Sequence, residues 1–173
     1  MTTPVCDPIT EAVLKRRAEQ LARQPAAADN GDDIEVLVCR VGSERYAVDT
    51  ASLRSVQWVS GVAPVPCTPS YVLGIVSVRG EIVTLLDLGT MLGLRSAPSE
   101  ADQYAALLIG LRGLKAGLVV DEIFGVERLK LASLQASLSG REFARGLAPG
   151  QTVLLDLEQL LTSGRFDVLD EVV

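Results

Sequence analysis

The sequence predicts an all-β protein, either a barrel or a sandwich. From Ile34 onward, short runs rich in β-branched and aliphatic residues recur, Gly- or Pro-containing turn signals separate most of them, and few helical periods intervene. Closing such a sheet would also remove exposed aliphatic edges that favour aggregation. The predicted strands cover residues 34–41, 45–48, 53–59, 73–78, 81–86, 105–111, 114–120, 123–129 and 152–155.

The N-terminal segment has a different pattern and predicts a helix followed by a linker. Asp7 is suited to cap a helix that has Pro8 in its first position and that stops before Pro25. Its apolar stripe is thin, so two interpretations stay open: a helix that docks loosely on its own domain, or a partner-binding helix that orders on contact. The composition of residues 24–33 is typical of a linker.

Residues 73–86 predict a β-hairpin around the pair Arg79-Gly80. Two aliphatic runs meet at these two residues without any further linker. Gly80 can adopt the positive φ that a tight turn needs. Arg79 would then lie at the tip, where its charge remains in water.

The second strand of this hairpin opens a motif that occurs again near the end of the chain. Residues 84–92 resemble residues 153–161: each is an apolar strand, an Asp and a short helical run. Asp87 and Asp156 therefore stand where an N-cap is needed. The repeat indicates two similar structural units. A hydrolase that uses Asp87 and Asp156 as paired carboxylates is the weaker alternative, because capping explains both residues.

Composition narrows the possible chemistry. The 173-residue chain contains no histidine, so His-dependent nucleophilic triads and the usual zinc and iron ligand sets are excluded. Its three cysteines, Cys6, Cys39 and Cys67, lie far apart and predict free thiols, with Cys39 a small buried hydrophobe. We expect no cofactor and no metal.

Charge and hydropathy limit the classes of partner and the location that we expect for this protein. The net charge is −6 without any Lys/Arg-rich run, which makes nucleic acid a poor candidate partner. No stretch approaches the roughly 20 apolar residues of a membrane span. The first residues lack the basic-then-apolar pattern of a secretory signal, so we expect a cytoplasmic protein.

Several segments, taken in order, resemble the chemotaxis coupling protein (CheW) family. The similarity covers about residues 34–161 and rests on Tyr-Ala-Val-Asp at 46–49, Val-Pro-Cys-Thr-Pro at 65–69, Gly-Ile-Val-Ser-Val-Arg-Gly-Glu-Ile-Val at 74–83, Gly-Leu-Val-Val-Asp-Glu-Ile at 117–123 and Leu-Leu-Asp-Leu-Glu-Gln-Leu-Leu at 154–161. The resemblance implies two SH3-like five-stranded β-barrels packed together, with an N-terminal helical extension and short helices at strand ends. The implied domains are a helix and linker at 1–33, a CheW-like domain at 34–164 and a tail at 165–173.

The resemblance also implies a function and its partners. The family's members are adaptors that join the cytoplasmic tip of chemoreceptors to the regulatory domain of a CheA-type histidine kinase. We therefore expect a non-enzymatic scaffold located at receptor arrays on the inner membrane. The alternative from another class is a barrel that binds a small ligand or an oligonucleotide; the few aromatic residues and the negative charge count against it.

Carried over by position, the resemblance implies a partner-binding site. Arg79 and Gly80 match the family's Arg-Gly hairpin, a position linked to receptor coupling, and Leu53 and Val56 match apolar positions near the same surface. Where the family usually has Glu, this chain has Ser55. We therefore expect Arg79 to be exposed or to find another carboxylate. Because alternate residues of a strand face opposite sides, Leu53 and Val56 share a face only if the strand bends or bulges.

Overall fold

The structure, a computed structural model, describes residues 33–98, 101–111, 114–135 and 143–162. The predicted helix at 8–23 lies outside these residues. The described strands are β1 (Asp33–Val41), β2 (Glu44–Asp49), β3 (Leu53–Ser60), β4 (Val72–Val78), β5 (Glu81–Asp87), β6 (Gln103–Leu111), β7 (Leu114–Val120), β8 (Glu122–Lys130), β9 (Ala144–Ala148) and β10 (Thr152–Leu155). The described helices are α1 (Leu88–Met91) and α2 (Leu157–Thr162), and 3-10 turns occupy Thr50–Ser52 and Leu131–Ser133.

Within these residues the strands form two curled sheets of five strands each. The orders are β3-β6-β7-β5-β4 and β8-β1-β2-β10-β9. Neighbours pair antiparallel except β5 with β7 and β2 with β10, which pair parallel. The all-β, two-barrel prediction is confirmed. All nine predicted strands occur, with ends shifted by at most two residues.

Each sheet is closed by a two-bond backbone bridge between its first and last strands. Beyond β3, Ala63 exchanges hydrogen bonds of 2.8 and 2.9 Å with Ile75 of β4. Beyond β8, Gln135 exchanges bonds of 2.9 and 3.0 Å with Leu147 of β9. A glycine precedes Ile75 and another precedes Leu147. A side chain would not fit at either position: an added Cβ on Gly74 would lie 2.3 Å from the Ala63 carbonyl oxygen, and one on Gly146 would lie 2.9 Å from the Gln135 carbonyl oxygen.

The predicted internal repeat corresponds to β5 with α1 and to β10 with α2. The Asp87 backbone N–H donates to the Tyr71 carbonyl at 2.7 Å, and the Asp156 N–H donates to the Phe143 carbonyl at 2.8 Å. Each Asp also caps its helix: Asp87 Oδ1 accepts from the Thr90 N–H at 2.6 Å, and Asp156 Oδ1 accepts from the Gln159 N–H at 2.9 Å. The capping prediction is confirmed for both residues.

The buried apolar side chains form three clusters. One fills the β3–β7 barrel around Leu85, and another fills the second barrel around Leu154. The largest cluster lies between the barrels and includes Tyr46, Leu107, Leu118 and both helices. Alternation explains this arrangement, since the two faces of each central strand supply the barrel interior and the inter-barrel core.

A partly buried ion-pair network joins the two barrels. Asp87, with no exposed area, accepts bonds of 2.9 and 2.7 Å from the Arg95 guanidinium. The same guanidinium donates to Asp121 at 3.0 Å, and Asp121 accepts from the Gly42 N–H at 2.6 Å in the β1–β2 turn. The carboxylates raise the pKa of Arg95, and the largest cause is the hydrogen bonding that the guanidinium donates to Asp87. Arg95 thereby links the cap of α1 to the other barrel.

Several remaining expectations concern single residues. Cys39 is fully buried, which confirms the predicted small buried hydrophobe, and burial raises the pKa of its thiol to about 12; Cys67 is exposed. Among the described residues no helix is long and apolar enough to span a membrane. The same residues contain no cluster of three or more potential metal ligands.

Candidate functional site

Arg79 and Gly80 form the two-residue turn between β4 and β5. Val78 pairs with Glu81, and both turn residues have positive φ, 51° for Arg79 and 84° for Gly80. This is the backbone of a type I′ turn, whose twist matches that of the flanking strands. The positive φ of Gly80 was predicted; that of Arg79 was not, because a non-glycine residue rarely adopts it. The turn fixes the backbone position of Arg79, and the side chain is exposed as expected.

The turn borders the open end of the β3–β7 barrel, which we call the barrel mouth. It is a cavity of about 320 Å³. Arg54 and Ser55 of β3, Arg79, Glu81 of β5 and Lys115 of β7 line its rim. The side chains beneath the rim are apolar and include Val83 and Leu108. The structure thus brings the predicted residues Arg79 and Ser55 to one cavity.

The rim carries an excess of positive charge. Glu81 Oε1 lies 2.8 Å from Lys115 Nζ, and Glu81 Oε2 lies 3.5 Å from Arg54 Nη1. Both carboxylate oxygens therefore have a cationic partner. Arg79 makes no hydrogen bond or ion pair with another described residue. Ser55 brings no charge, so among the described residues that line the mouth the Arg79 guanidinium has no carboxylate partner.

Lys115 also lowers the pKa of the Glu81 carboxyl. The hydrogen bond that Lys115 donates lowers the pKa of the Glu81 carboxyl below its ordinary value of 4.5. We expect Lys115→Ala to raise the pKa of Glu81, as measured by NMR titration of its carboxyl carbon. Because the folded-state pKa is depressed, the pairing is present above the ordinary pKa and is lost as pH falls through the folded value. An unchanged titration midpoint in Lys115→Ala would contradict the assigned pair.

The other predicted residues, Leu53 and Val56, lie on the outer face of the same barrel. Leu53 pairs with Ile109 and Val56 pairs with Leu107, whereas Ser55 pairs with Leu108, so the register shifts between Leu53 and Ser55. The extra residue is Arg54. Leu53 and Val56 were expected to share a face only if the strand bends or bulges. Because of this bulge, both lie on the face of the sheet that carries Ile109 and Leu107.

That face continues from the inter-barrel core to an exposed apolar strip on β3. Leu53 packs against the core, but the exposed fractions of Val56 and Trp58 are 41% and 67%. Trp58 pairs with Ala105, so it lies on the same face as Val56. We call Leu53, Val56 and Trp58 the β3 strip. The candidate site therefore has two parts, the cationic mouth and the apolar strip, on opposite faces of β3.

Sequence reasoning missed Arg54 and Lys115 at the rim. Arg54 crosses Gly110, where an added Cβ would lie 2.6 Å from Arg54 Cδ, so the glycine leaves room for the arginine stem. Lys115 reaches Glu81 from β7, a strand 34 residues further along the chain. Neither contact has a local sequence signal, because both depend on how β3, β5 and β7 curl around the mouth.

Comparison with known proteins agrees with this geometry. Residues 35–165 match the model of the CheW-like domain. The chain is 27% identical to the chemotaxis protein CheW of Treponema pallidum, covering 82% of this chain and 89% of that protein. It is 26% identical to CheW of Klebsiella aerogenes, covering 80% and 87%.

A solved structure has the same fold. The scaffolding protein TtCheW from Thermoanaerobacter tengcongensis superimposes with a TM-score of 0.68 at 22% identity, covering 79% of this chain and 97% of that chain. The matched region 35–165 includes all the described strands except the first two residues of β1, and both parts of the candidate site. On this evidence, the chain belongs to the family of proteins with a CheW-like domain.

Proposed function

We propose that this protein couples the cytoplasmic tip of a chemoreceptor to the regulatory domain of a CheA-type histidine kinase. The observation that carries the proposal is the β3 strip, where the exposed residues Trp58 and Val56 continue the apolar face of the inter-barrel core. Exposed apolar residues that adjoin one another are typical of protein interfaces. The relatives are chemotaxis proteins, and the structural neighbour is a scaffolding protein.

The same residues support a role in assembly rather than catalysis. Arg79, Gly80, Leu53, Ser55 and Val56 offer apolar contact and a positive charge, and the chain has no histidine for acid–base work. We infer a non-enzymatic adaptor that works in the cytoplasm at receptor arrays. Residues 34–164 would be the coupling domain, with residues 1–33 and 165–173 as extensions.

Binding measurements with substituted proteins test the proposal. The chain would be mixed with a chemoreceptor and a CheA-type kinase from the same organism, and complexes would be isolated by affinity pull-down. We expect Arg79→Asp and Trp58→Glu to keep the native circular dichroism spectrum and to reduce complex formation by about tenfold or more. Arg128→Asp is the control, since Arg128 is an exposed cation of the other barrel. Wild-type protein that binds neither partner would overturn the proposal.

The cavity at the barrel mouth is the observation that favours the alternative function, a barrel that binds a small ligand or an oligonucleotide. A cavity of about 320 Å³ with a cationic rim is at the small end of ligand-binding cavities. Clear thermal stabilisation by one nucleotide, lost in Arg79→Gln, would replace the adaptor by a small-ligand or oligonucleotide-binding barrel.

A further inference from the structure

We propose that the barrel mouth is a subsite for one Asp or Glu side chain of the partner protein, with Arg79 as its counter-ion. This inference rests on the proposed coupling function and names the chemistry by which one part of the site recognises its partner. A carboxylate on a protein segment is the occupant; nucleotides and free small anions are outcomes that the test separates.

The first step of the argument is charge balance. Among the described residues of the rim, three cations, Arg54, Arg79 and Lys115, surround a single carboxylate, Glu81. The chain as a whole carries a net charge of −6. The mouth is therefore a local positive site on an acidic protein, and such a site attracts an acidic group of a partner.

The second step is that the Glu81 carboxylate already pairs with two other cations. Each of its two oxygens faces a different cation, Lys115 at 2.8 Å and Arg54 at 3.5 Å. Its pKa is lowered by Lys115 first, and Arg79 is not among the causes. Of the three cations on the described part of the rim, Arg79 is thus the one whose donors are available to a second carboxylate.

The third step is preorganisation. Arg79 is held in a two-residue turn at φ 51°, a conformation that costs a non-glycine residue free energy. A guanidinium presents several N–H donors in a fixed fork, which suits two-bond recognition of a carboxylate. Ser55 lines the same cavity, so its hydroxyl offers a further donor. The apolar residues Val83 and Leu108 beneath the rim match the methylene groups of Asp or Glu.

A carboxylate supplied from within the chain should therefore compete with the partner. Ser55→Glu places an acid in the cavity that Arg79 also lines, whereas Ser55→Gln adds nearly the same volume without charge. Affinities for the purified receptor hairpin fragment and for the kinase regulatory domain would be measured by titration calorimetry at low and moderate salt. We expect Ser55→Glu and Arg79→Gln to weaken binding of one partner at least tenfold, and Ser55→Gln to weaken it much less.

Charge exchange then identifies the occupant. We expect Arg79→Glu to lose binding and a single Asp→Lys or Glu→Lys substitution in that partner to restore it. Equal affinities for Ser55→Glu and Ser55→Gln, or wild-type affinity in Arg79→Gln, would overturn the inference while leaving the coupling function intact. Competition by free nucleotide or phosphate without any restoring partner substitution would also overturn it, in favour of a small anion. Wild-type protein that binds neither probe would instead count against the coupling function itself.

Discussion

Replacing Arg95 with alanine is expected to lower the free energy of unfolding by about 3–5 kcal/mol, because it removes the cation that donates two hydrogen bonds to a buried carboxylate. Asp87 is fully buried, and both of its oxygens accept bonds from Arg95. Asp121 would lose its bond to Arg95 at the same time. The loss should also loosen the contact between the barrels, since the network runs from the cap of α1 to the β1–β2 turn.

Chemical denaturation monitored by circular dichroism measures this effect. Arg128→Ala is the matched control, because its ion pair with Glu35 spans 3.7 Å between exposed side chains and should contribute less than about 1 kcal/mol. If Arg95→Ala and Arg128→Ala change the unfolding midpoint equally, the network does not have the stabilising role assigned to it.

Gly74→Ala is expected to cost about 3 kcal/mol or more, for two combined reasons. Gly74 has φ +144°, which L-residues rarely adopt, and an added Cβ would lie 2.3 Å from the Ala63 carbonyl oxygen. That oxygen accepts from the Ile75 N–H in the bridge that closes the barrel. The substitution should therefore weaken barrel closure as well as strain the strand.

Gly125→Ala separates the two reasons. Gly125 has a similar φ of +135°, but no atom lies within 4 Å of its added Cβ. We expect Gly125→Ala to cost about 1–2 kcal/mol from backbone strain alone. Thermal unfolding of the two variants gives the difference due to the clash. Equal losses of stability would show that the contact with Ala63 is relieved at little cost.

The sequence predicted those features that depend on neighbouring residues. The aliphatic runs gave nine strands, the Arg79-Gly80 pair gave the hairpin, and Asp87 and Asp156 gave two helix caps. The one described strand that the sequence did not predict is β9 (Ala144–Ala148), because its Ala-Arg-Gly-Leu-Ala sequence has low β-propensity. It becomes a strand only through pairing with β10 and with Gln135.

The site was predicted only in part for a similar reason. Arg79 and Ser55 were found through the family resemblance, and the structure places both at the barrel mouth. Whether Leu53 and Val56 share a face depended on the bulge at Arg54, which no local pattern announces. The pairing of Glu81 with Lys115 and the Arg95 network depend on the tertiary arrangement of distant strands.

Reconstituted kinase control tests the coupling function most directly. Membranes containing a chemoreceptor from the same organism would be mixed with its CheA-type kinase, and autophosphorylation would be measured with and without this protein. We expect the receptor to change kinase activity only when the protein is present, and Arg79→Asp to diminish that control. A kinase that responds fully to the receptor without the protein would contradict the proposed function.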